Sequence, residues 1–287
     1  MFENIIGNEK IKQTFLDALN SGNISHSYLF VGKAGIGKKQ FAKEIAKKVM
    51  CLGDEKCESC QKFNANSNPD FQIIDPDGKS IKIEQIRNMQ SKILEKPIIS
   101  SKKVYIIDNS ELMSEESQNC LLKTLEEPPE YAMIILISSN ENRIIQTIKS
   151  RCIIVRFEDL TNEEISKYLN TQDIDIIKLC DGSLEKADHI QEKKEVYCKL
   201  RDIANNLEKK SLIDVLNNSE LLYNSKDDII ELLDYLNVIF FEKCKENINY
   251  SKAVSIVEKV KKKINANNNF DMSIDYMLIH IWEEFNG

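Results

Sequence analysis

The sequence predicts an α/β fold in its first half, built on a parallel sheet of five strands, followed by helical domains. Short β-branched apolar runs alternate there with helical stretches, which is the pattern of parallel strands joined by crossover helices. The strand-like runs cease after Phe157, and helical periodicity continues from there to the end. We therefore expect one sheet, buried between helices, in the first half of the chain.

The predicted strands are the runs Tyr28–Val31, Phe71–Ile74, Val104–Ile107, Met133–Ile137 and Cys152–Val155. They are short and mostly apolar, as expected for strands that helices cover on both faces. The helix between the third and fourth strands has the clearest ends. Ser114 can cap its start, and Pro128 with Pro129 stops it.

The chain has 287 residues, which is enough for two or three domains. We place the α/β domain at residues 1–157, a small helical domain at 158–192 and a third, all-helical domain at 193–287. Thr161 opens the short helices of the second domain, which break at Asp181-Gly182.

The net charge of −7 argues against strong independent binding to a phosphate backbone. The densest basic run is either a solvated helical face or a contact for nucleic acid or an acidic partner; it comprises Lys259, Lys261, Lys262 and Lys263. The apolar runs are far shorter than the roughly 20 residues of a membrane helix, and the N-terminus lacks a signal-peptide pattern. We expect a soluble, cytoplasmic protein without a membrane partner.

A glycine-rich segment between the first predicted strand and the next predicted helix has the spacing of a phosphate-binding loop. It reads GKAGIGKK, and its expected nucleotide-binding residues are Gly32, Gly35, Gly37 and Lys38. Glycines let backbone N–H groups turn inward around phosphate oxygens, while Lys38 and the helix N-terminus supply positive potential. The alternative is a glycine-rich turn without a ligand.

Three further segments indicate which class of phosphate-loop protein the sequence resembles. HSYLF precedes the loop at residues 26–30, LLKTLEEPP follows the third predicted strand at 121–129, and SRC stands at 150–152. Together with the loop, over about residues 1–190, they resemble the bacterial AAA+ clamp-loader family, which includes the delta-prime and gamma/tau subunits of DNA polymerase III. The resemblance implies a RecA-like AAA+ domain, a three-helix lid and a helical collar.

The resemblance makes Asp108, directly after the third predicted strand, the Walker B aspartate of a nucleotide site. Lys39 stands where a Ser or Thr hydroxyl would hold Mg²⁺, and Asn109 stands where ATP-hydrolysing members usually carry the glutamate that polarises water. We therefore do not expect ATP hydrolysis by this chain, although a nucleotide can still rest in the loop. These departures favour a non-catalytic subunit of the delta-prime type over an active ATPase of the gamma/tau type.

Two sensor positions also follow from the resemblance. In the segment GSLEKA, where the family often carries a sensor arginine, the matching residue is Glu185, and this sensing group is missing unless Lys186 substitutes. After the fourth predicted strand, Ser139 matches the first sensor region, and a turn-forming polar cluster describes it equally well.

Within the SRC segment, the resemblance makes Arg151 an arginine finger that acts in trans, in the ATP site of a neighbouring subunit. A guanidinium suits this task because it is always charged and offers several donors to a γ-phosphate. The alternative is an arginine in a surface salt bridge. The partners so implied are gamma/tau and delta subunits in a hetero-oligomeric ring that loads a sliding clamp at primed DNA. A paralogous AAA+ adaptor outside replication is a further alternative.

Three of the eight cysteines lie within ten residues of one another. Cys51, Cys57 and Cys60 stand where this family commonly has a four-cysteine zinc knuckle. Structural zinc normally needs four N or S ligands, but Phe63 stands where the fourth thiolate would fall, and Asp54 offers only an oxygen. The cluster is therefore either a zinc site or a set of free thiols.

Overall fold

The computed structural model describes residues 2–53, 56–207, 211–217, 219–266 and 268–286. The chain divides into two compact units, the first of which comprises the residues up to Glu164 together with Gly182–Glu185. The second comprises Ile165–Asp181 and the residues from Lys186 onward. The domain boundaries near residues 158 and 193 stay a prediction. None of the helices in the described ranges is both long enough and apolar enough to cross a lipid bilayer.

The first unit is built on a sheet whose strands are β1 (Ser27–Val31), β2 (Phe71–Ile74), β3 (Lys103–Ile107), β4 (Ala132–Ser138) and β5 (Ile153–Arg156). Within the described residues, all five are parallel and their order is β2-β3-β4-β1-β5. The α/β fold with a five-stranded parallel sheet is thus confirmed, and each predicted strand end differs from the observed one by at most one residue.

The helices of the first unit are α1 (Glu9–Asn20), α2 (Lys38–Met50), α3 (Glu58–Asn64), α4 (Ile83–Ile93), α5 (Glu115–Glu126) and α6 (Gln146–Lys149). The predicted ends of α5 are confirmed. Ser114 Oγ accepts a hydrogen bond from the backbone N–H of Ser117 at 3.2 Å, and the helix ends before Pro128. This cap satisfies one of the unpaired donors in the first turn.

The alternating side chains of the strands fill two cores, one on each face of the sheet. Leu29 and Val31 of β1 belong to the core that includes residues of α4 and α5. Tyr28 and Phe30 belong to the other core, which includes Phe41 of α2. Because the strands are parallel and sandwiched, their carboxyl ends meet at one edge of the sheet, where loops carry the candidate site.

The second unit is helical in its described residues. The remaining α-helices in the described residues are α7 (Asn162–Leu169), α8 (Ile174–Cys180), α9 (Leu184–Glu192), α10 (Lys194–Asn206), α11 (Leu212–Asn217), α12 (Ser219–Tyr223), α13 (Ile229–Lys243), α14 (Tyr250–Asn265) and α15 (Phe270–Asn286). On α14, Lys261 of the basic run forms ion pairs with Asp234 and Glu258. One cation of that run is therefore neutralised by carboxylates of its own unit.

Candidate functional site

The predicted phosphate loop joins β1 to α2, and its conformation depends on its glycines. Gly32 has φ 152°, and a Cβ there would lie 2.8 Å from the carbonyl oxygen of Phe157. Gly35 has φ 76°, and a Cβ there would lie 2.1 Å from Ser183 Oγ. Both positions therefore combine a backbone conformation that favours glycine with a close neighbour. Gly37, at φ 89°, directly precedes the first residue of α2.

Lys38 is buried under this loop, with 5% of its surface exposed. Its Nζ donates to the carbonyl oxygens of Gly32 at 2.6 Å and of Lys33 at 2.5 Å. Burial lowers the pKa of Lys38, and nearby carboxylates, chiefly that of Glu111, oppose the shift. The lysine that would meet a phosphate is thus held within the loop by carbonyl groups of the loop itself.

Lys39 bridges two carboxylates at the carboxyl edge of the sheet. Its Nζ lies 2.7 Å from Asp75 Oδ1 and 3.0 Å from Asp108 Oδ2. Asp75 directly follows β2 and Asp108 directly follows β3, and these two strands are neighbours in the sheet. Burial lowers the pKa of Lys39, but its hydrogen bonds and charge interactions with the two carboxylates outweigh burial and raise it. The ammonium therefore stays charged beside Asp108.

Asn109 occupies a left-handed backbone conformation, with φ 49°, at the end of β3. Its side chain is exposed, and its backbone N–H donates to Asp108 Oδ1 at 3.0 Å. An amide side chain has no basic oxygen that would take a proton from water at neutral pH. The structure therefore places a residue without general-base chemistry beside Asp108.

Glu111 is an acidic residue of this site that sequence reasoning missed. It is 7% exposed, and its Oε1 accepts hydrogen bonds from the backbone N–H of Ser139, at 3.1 Å, and from the Ser139 hydroxyl. Among the described residues, its Oε2 has no hydrogen-bond partner. Ser139, the predicted first sensor, is thus bound to an internal carboxylate. Nothing in the spacing of Glu111 from Asp108 marks it as part of the site.

Glu185, the predicted sensor position, lies against the phosphate loop. The backbone N–H groups of Leu184 and Glu185 donate to the carbonyl oxygen of Gly35 at 2.8 and 3.2 Å. The Glu185 Oε2 lies 3.2 Å from the position that a Cβ of Gly35 would take. Glu185 thus places a carboxylate beside the loop at Gly35, where a cation would favour phosphate binding. Lys186, the alternative, belongs to the second unit, and its role stays a prediction.

Arg151 lies between α6 and β5, and its side chain is 32% exposed. One terminal nitrogen is 2.5 Å from Glu126 Oε1, at the end of α5, and the other donates to the carbonyl oxygen of Thr147 at 2.9 Å. An exposed ion pair of this kind contributes only about 0 to 1 kcal/mol to stability. The guanidinium is therefore oriented by its neighbours without being buried by them.

Cys51 at the end of α2, Cys57 at the start of α3 and Cys60 within α3 come together, with their sulfur atoms within 4.8 Å of one another. The sulfurs of Cys51 and Cys57 are 3.9 Å apart. Backbone hydrogen bonds from Leu52 and Cys60 lower the pKa of Cys57 to about 7, whereas burial and the neighbouring thiols raise that of Cys60 to about 12. The sequence-predicted cluster thus exists in space.

Three thiols fit three corners of a zinc site. Zn–S bonds of about 2.3 Å in a tetrahedron put neighbouring sulfurs about 3.8 Å apart, close to the separation of Cys51 and Cys57. Phe63 packs its ring against Phe71, with centroids 4.5 Å apart. Asp54 lies outside the described residues. The described part of the chain therefore offers a three-sulfur set that would hold zinc incompletely.

We expect protein purified without chelator to carry less than one zinc per chain, because three thiolates leave one coordination position to water or an added ligand. Cys57→Ser should remove the zinc that does bind, whereas Cys198→Ser, at another partly buried cysteine, should not. Elemental analysis with thiol titration measures both. One tightly held zinc per chain would contradict this expectation and show that a fourth ligand, such as Asp54, completes the site.

Comparison with known proteins identifies the family. The family described as "DNA polymerase III, delta subunit" matches residues 7–161, more than half of the chain. The gamma/tau subunit of Mycoplasma pneumoniae is 38% identical over 58% of this chain and 25% of its own length. The delta' subunit of Bacillus subtilis is 36% identical over 58% of this chain and 52% of its own length. The chain thus spans about half or less of these curated relatives.

A solved structure supports the same fold. A DNA polymerase III gamma subunit-related protein from Thermotoga maritima aligns with a TM-score of 0.54 at 18% identity, over 95% of this chain and 99% of that one. At this identity the likeness concerns the fold alone, which is the α/β AAA+ fold with a helical C-terminal region. The matched family and the fold together show that this chain belongs to the DNA polymerase III delta-subunit family, among the clamp-loader proteins of the AAA+ type.

Proposed function

We propose that this chain is a non-hydrolysing subunit of a replicative clamp loader. It assembles with gamma/tau and delta subunits into a hetero-oligomeric ring that loads a sliding clamp at primed DNA. It contributes Arg151 to the ATP site of a neighbouring subunit. Its own nucleotide site, at Gly32, Gly35, Gly37, Lys38 and Asp108, is degenerate.

The contact of Lys39 with Asp108 is the observation that carries this proposal. Phosphoryl transfer in P-loop proteins needs a divalent ion held by a loop hydroxyl and the Walker B aspartate. Here an ammonium lies 3.0 Å from that aspartate and 2.7 Å from Asp75, and no hydroxyl stands at position 39. Position 39 therefore carries a cation instead of the hydroxyl that would bind the ion. Asp108, the other group that would bind it, is already paired with this cation.

Two further groups support a degenerate site. Asn109 stands beside Asp108 in place of an acid, so a water molecule near the γ-phosphate would lack its base. Glu185 brings a carboxylate, not a cation, to the loop at Gly35, and a carboxylate repels phosphate. These residues also weigh against the alternative of an active gamma/tau-type ATPase.

The partial exposure of Arg151 supports its proposed contact with the ATP site of a neighbouring subunit. Its guanidinium is partly exposed, and its carboxylate partner Glu126 is 49% exposed. A γ-phosphate, which carries more charge than a carboxylate, would compete well for such a weakly bound guanidinium. Before a partner binds, Glu126 and the Thr147 carbonyl would hold the Arg151 side chain in place.

Reconstitution tests the proposed assembly. We expect this chain to form a stable complex with gamma/tau and delta subunits from the same organism, and we expect clamp loading onto primed DNA to fall to background when the chain is omitted. Size-exclusion chromatography and a fluorescent clamp-loading assay measure the two steps. Absence of a complex, or loading that does not need the chain, would contradict the proposal and favour an AAA+ adaptor outside replication.

A further inference from the structure

The position of Lys39 has a consequence for any nucleotide in the loop. In a working P-loop site, Mg²⁺ neutralises the Walker B carboxylate and the phosphate oxygens together. Here the Lys39 ammonium lies between Asp75 and Asp108, one residue along α2 from the loop lysine. A cation is therefore already present next to the Walker B carboxylate, and the backbone tethers it there.

Lys39 stays protonated at neutral pH. Asp108 is 14% exposed and Lys39 is 38% exposed, so their pairing is only partly screened by water. The net effect of the two carboxylates is to raise the pKa of Lys39. Mg²⁺ would have to displace a fixed ammonium from both carboxylates and then sit beside it, and like charges at that distance repel.

We propose that Lys39 is a tethered substitute for the divalent ion, so that the loop binds the diphosphate of a nucleotide without Mg²⁺. This inference rests on the proposed function, because it takes the loop as a nucleotide site. The glycine-rich turn and the N-terminus of α2 supply backbone N–H groups to the phosphates. Lys39 offsets one of the two negative charges of Asp75 and Asp108, which would otherwise repel the phosphates more strongly.

Binding of fluorescent ADP to the full chain, measured once in excess EDTA and once in excess Mg²⁺, tests the inference. We expect the two dissociation constants of the unaltered protein to agree within about twofold. Lys39→Thr restores the loop hydroxyl and frees Asp108, so Mg²⁺ should tighten its binding of ADP by about tenfold or more. Lys39→Met, which removes the charge at similar length, should bind ADP several-fold more weakly than the unaltered protein in EDTA.

Lys252→Thr is the matched control, because Lys252 also pairs with a carboxylate, Glu284 at 2.6 Å, but belongs to the second unit. It should behave as the unaltered protein. Tenfold tighter binding by the unaltered protein in Mg²⁺, no ADP binding in either buffer, or a Lys39→Thr variant that ignores Mg²⁺ would each overturn the inference. None of these outcomes touches the proposed role of Arg151, which is measured on hydrolysis by a neighbouring subunit.

Discussion

Replacing Arg151 with alanine is expected to slow ATP hydrolysis by the subunit whose site receives it, while leaving fold and ring assembly nearly unchanged. Arginine fingers in other NTPases are worth about 10³ to 10⁵ in rate at their own site. A ring with several active sites keeps the turnover of the others, so the bulk rate should fall by less. Stability should change by about 1 kcal/mol or less, because the pair with Glu126 is partly exposed.

Clamp- and DNA-stimulated ATPase of a reconstituted loader measures this effect. Arg151→Lys should also be defective, because one ammonium cannot reproduce the planar fork around a γ-phosphate. Arg156→Ala is the control, since Arg156, at the end of β5, is 65% exposed and pairs with Glu141 in the short helical turn after β4. Unchanged hydrolysis and clamp loading with Arg151→Ala, at equal assembly, would reduce the SRC segment to a structural turn.

The strands and the ends of one helix were predictable because their signals are local. Each strand is a short apolar run, and the ends of α5 follow from Ser114 and Pro128. The sheet is less evenly covered than we expected. Ile153 of β5 is 52% exposed, because β5 is an edge strand that, among the described strands, pairs only with β1. Apolar composition did not distinguish this edge from the buried centre of the sheet.

The contacts of the site were not predictable from local patterns. Lys39 and Asp75 are 36 residues apart, and they meet because Asp75 follows β2, the strand that neighbours β3 and its Asp108. Arg151 and Glu126 are 25 residues apart and meet through the turn between α6 and β5. Such pairs depend on strand order and loop geometry, which composition and spacing do not report.

We expect the isolated chain to show no ATP turnover above the background of its own Lys38→Ala variant. Lys39 removes the hydroxyl that would anchor Mg²⁺, and its ammonium is paired with Asp108. Asn109 removes the group that would activate water, and loss of a positioned general base alone costs about 10² to 10⁴ in rate. The two defects affect different parts of one reaction, so neither compensates for the other.

Steady-state ATP hydrolysis by the purified full chain, with Mg²⁺ and with primed DNA, is the most direct test of a non-hydrolysing role. We expect equal, background rates for the unaltered protein and for Lys38→Ala, and the same rates for Arg156→Ala. Turnover near the usual enzyme range of about 1 s⁻¹, abolished by Lys38→Ala and unaffected by Arg156→Ala, would contradict it and identify an active ATPase of the gamma/tau type.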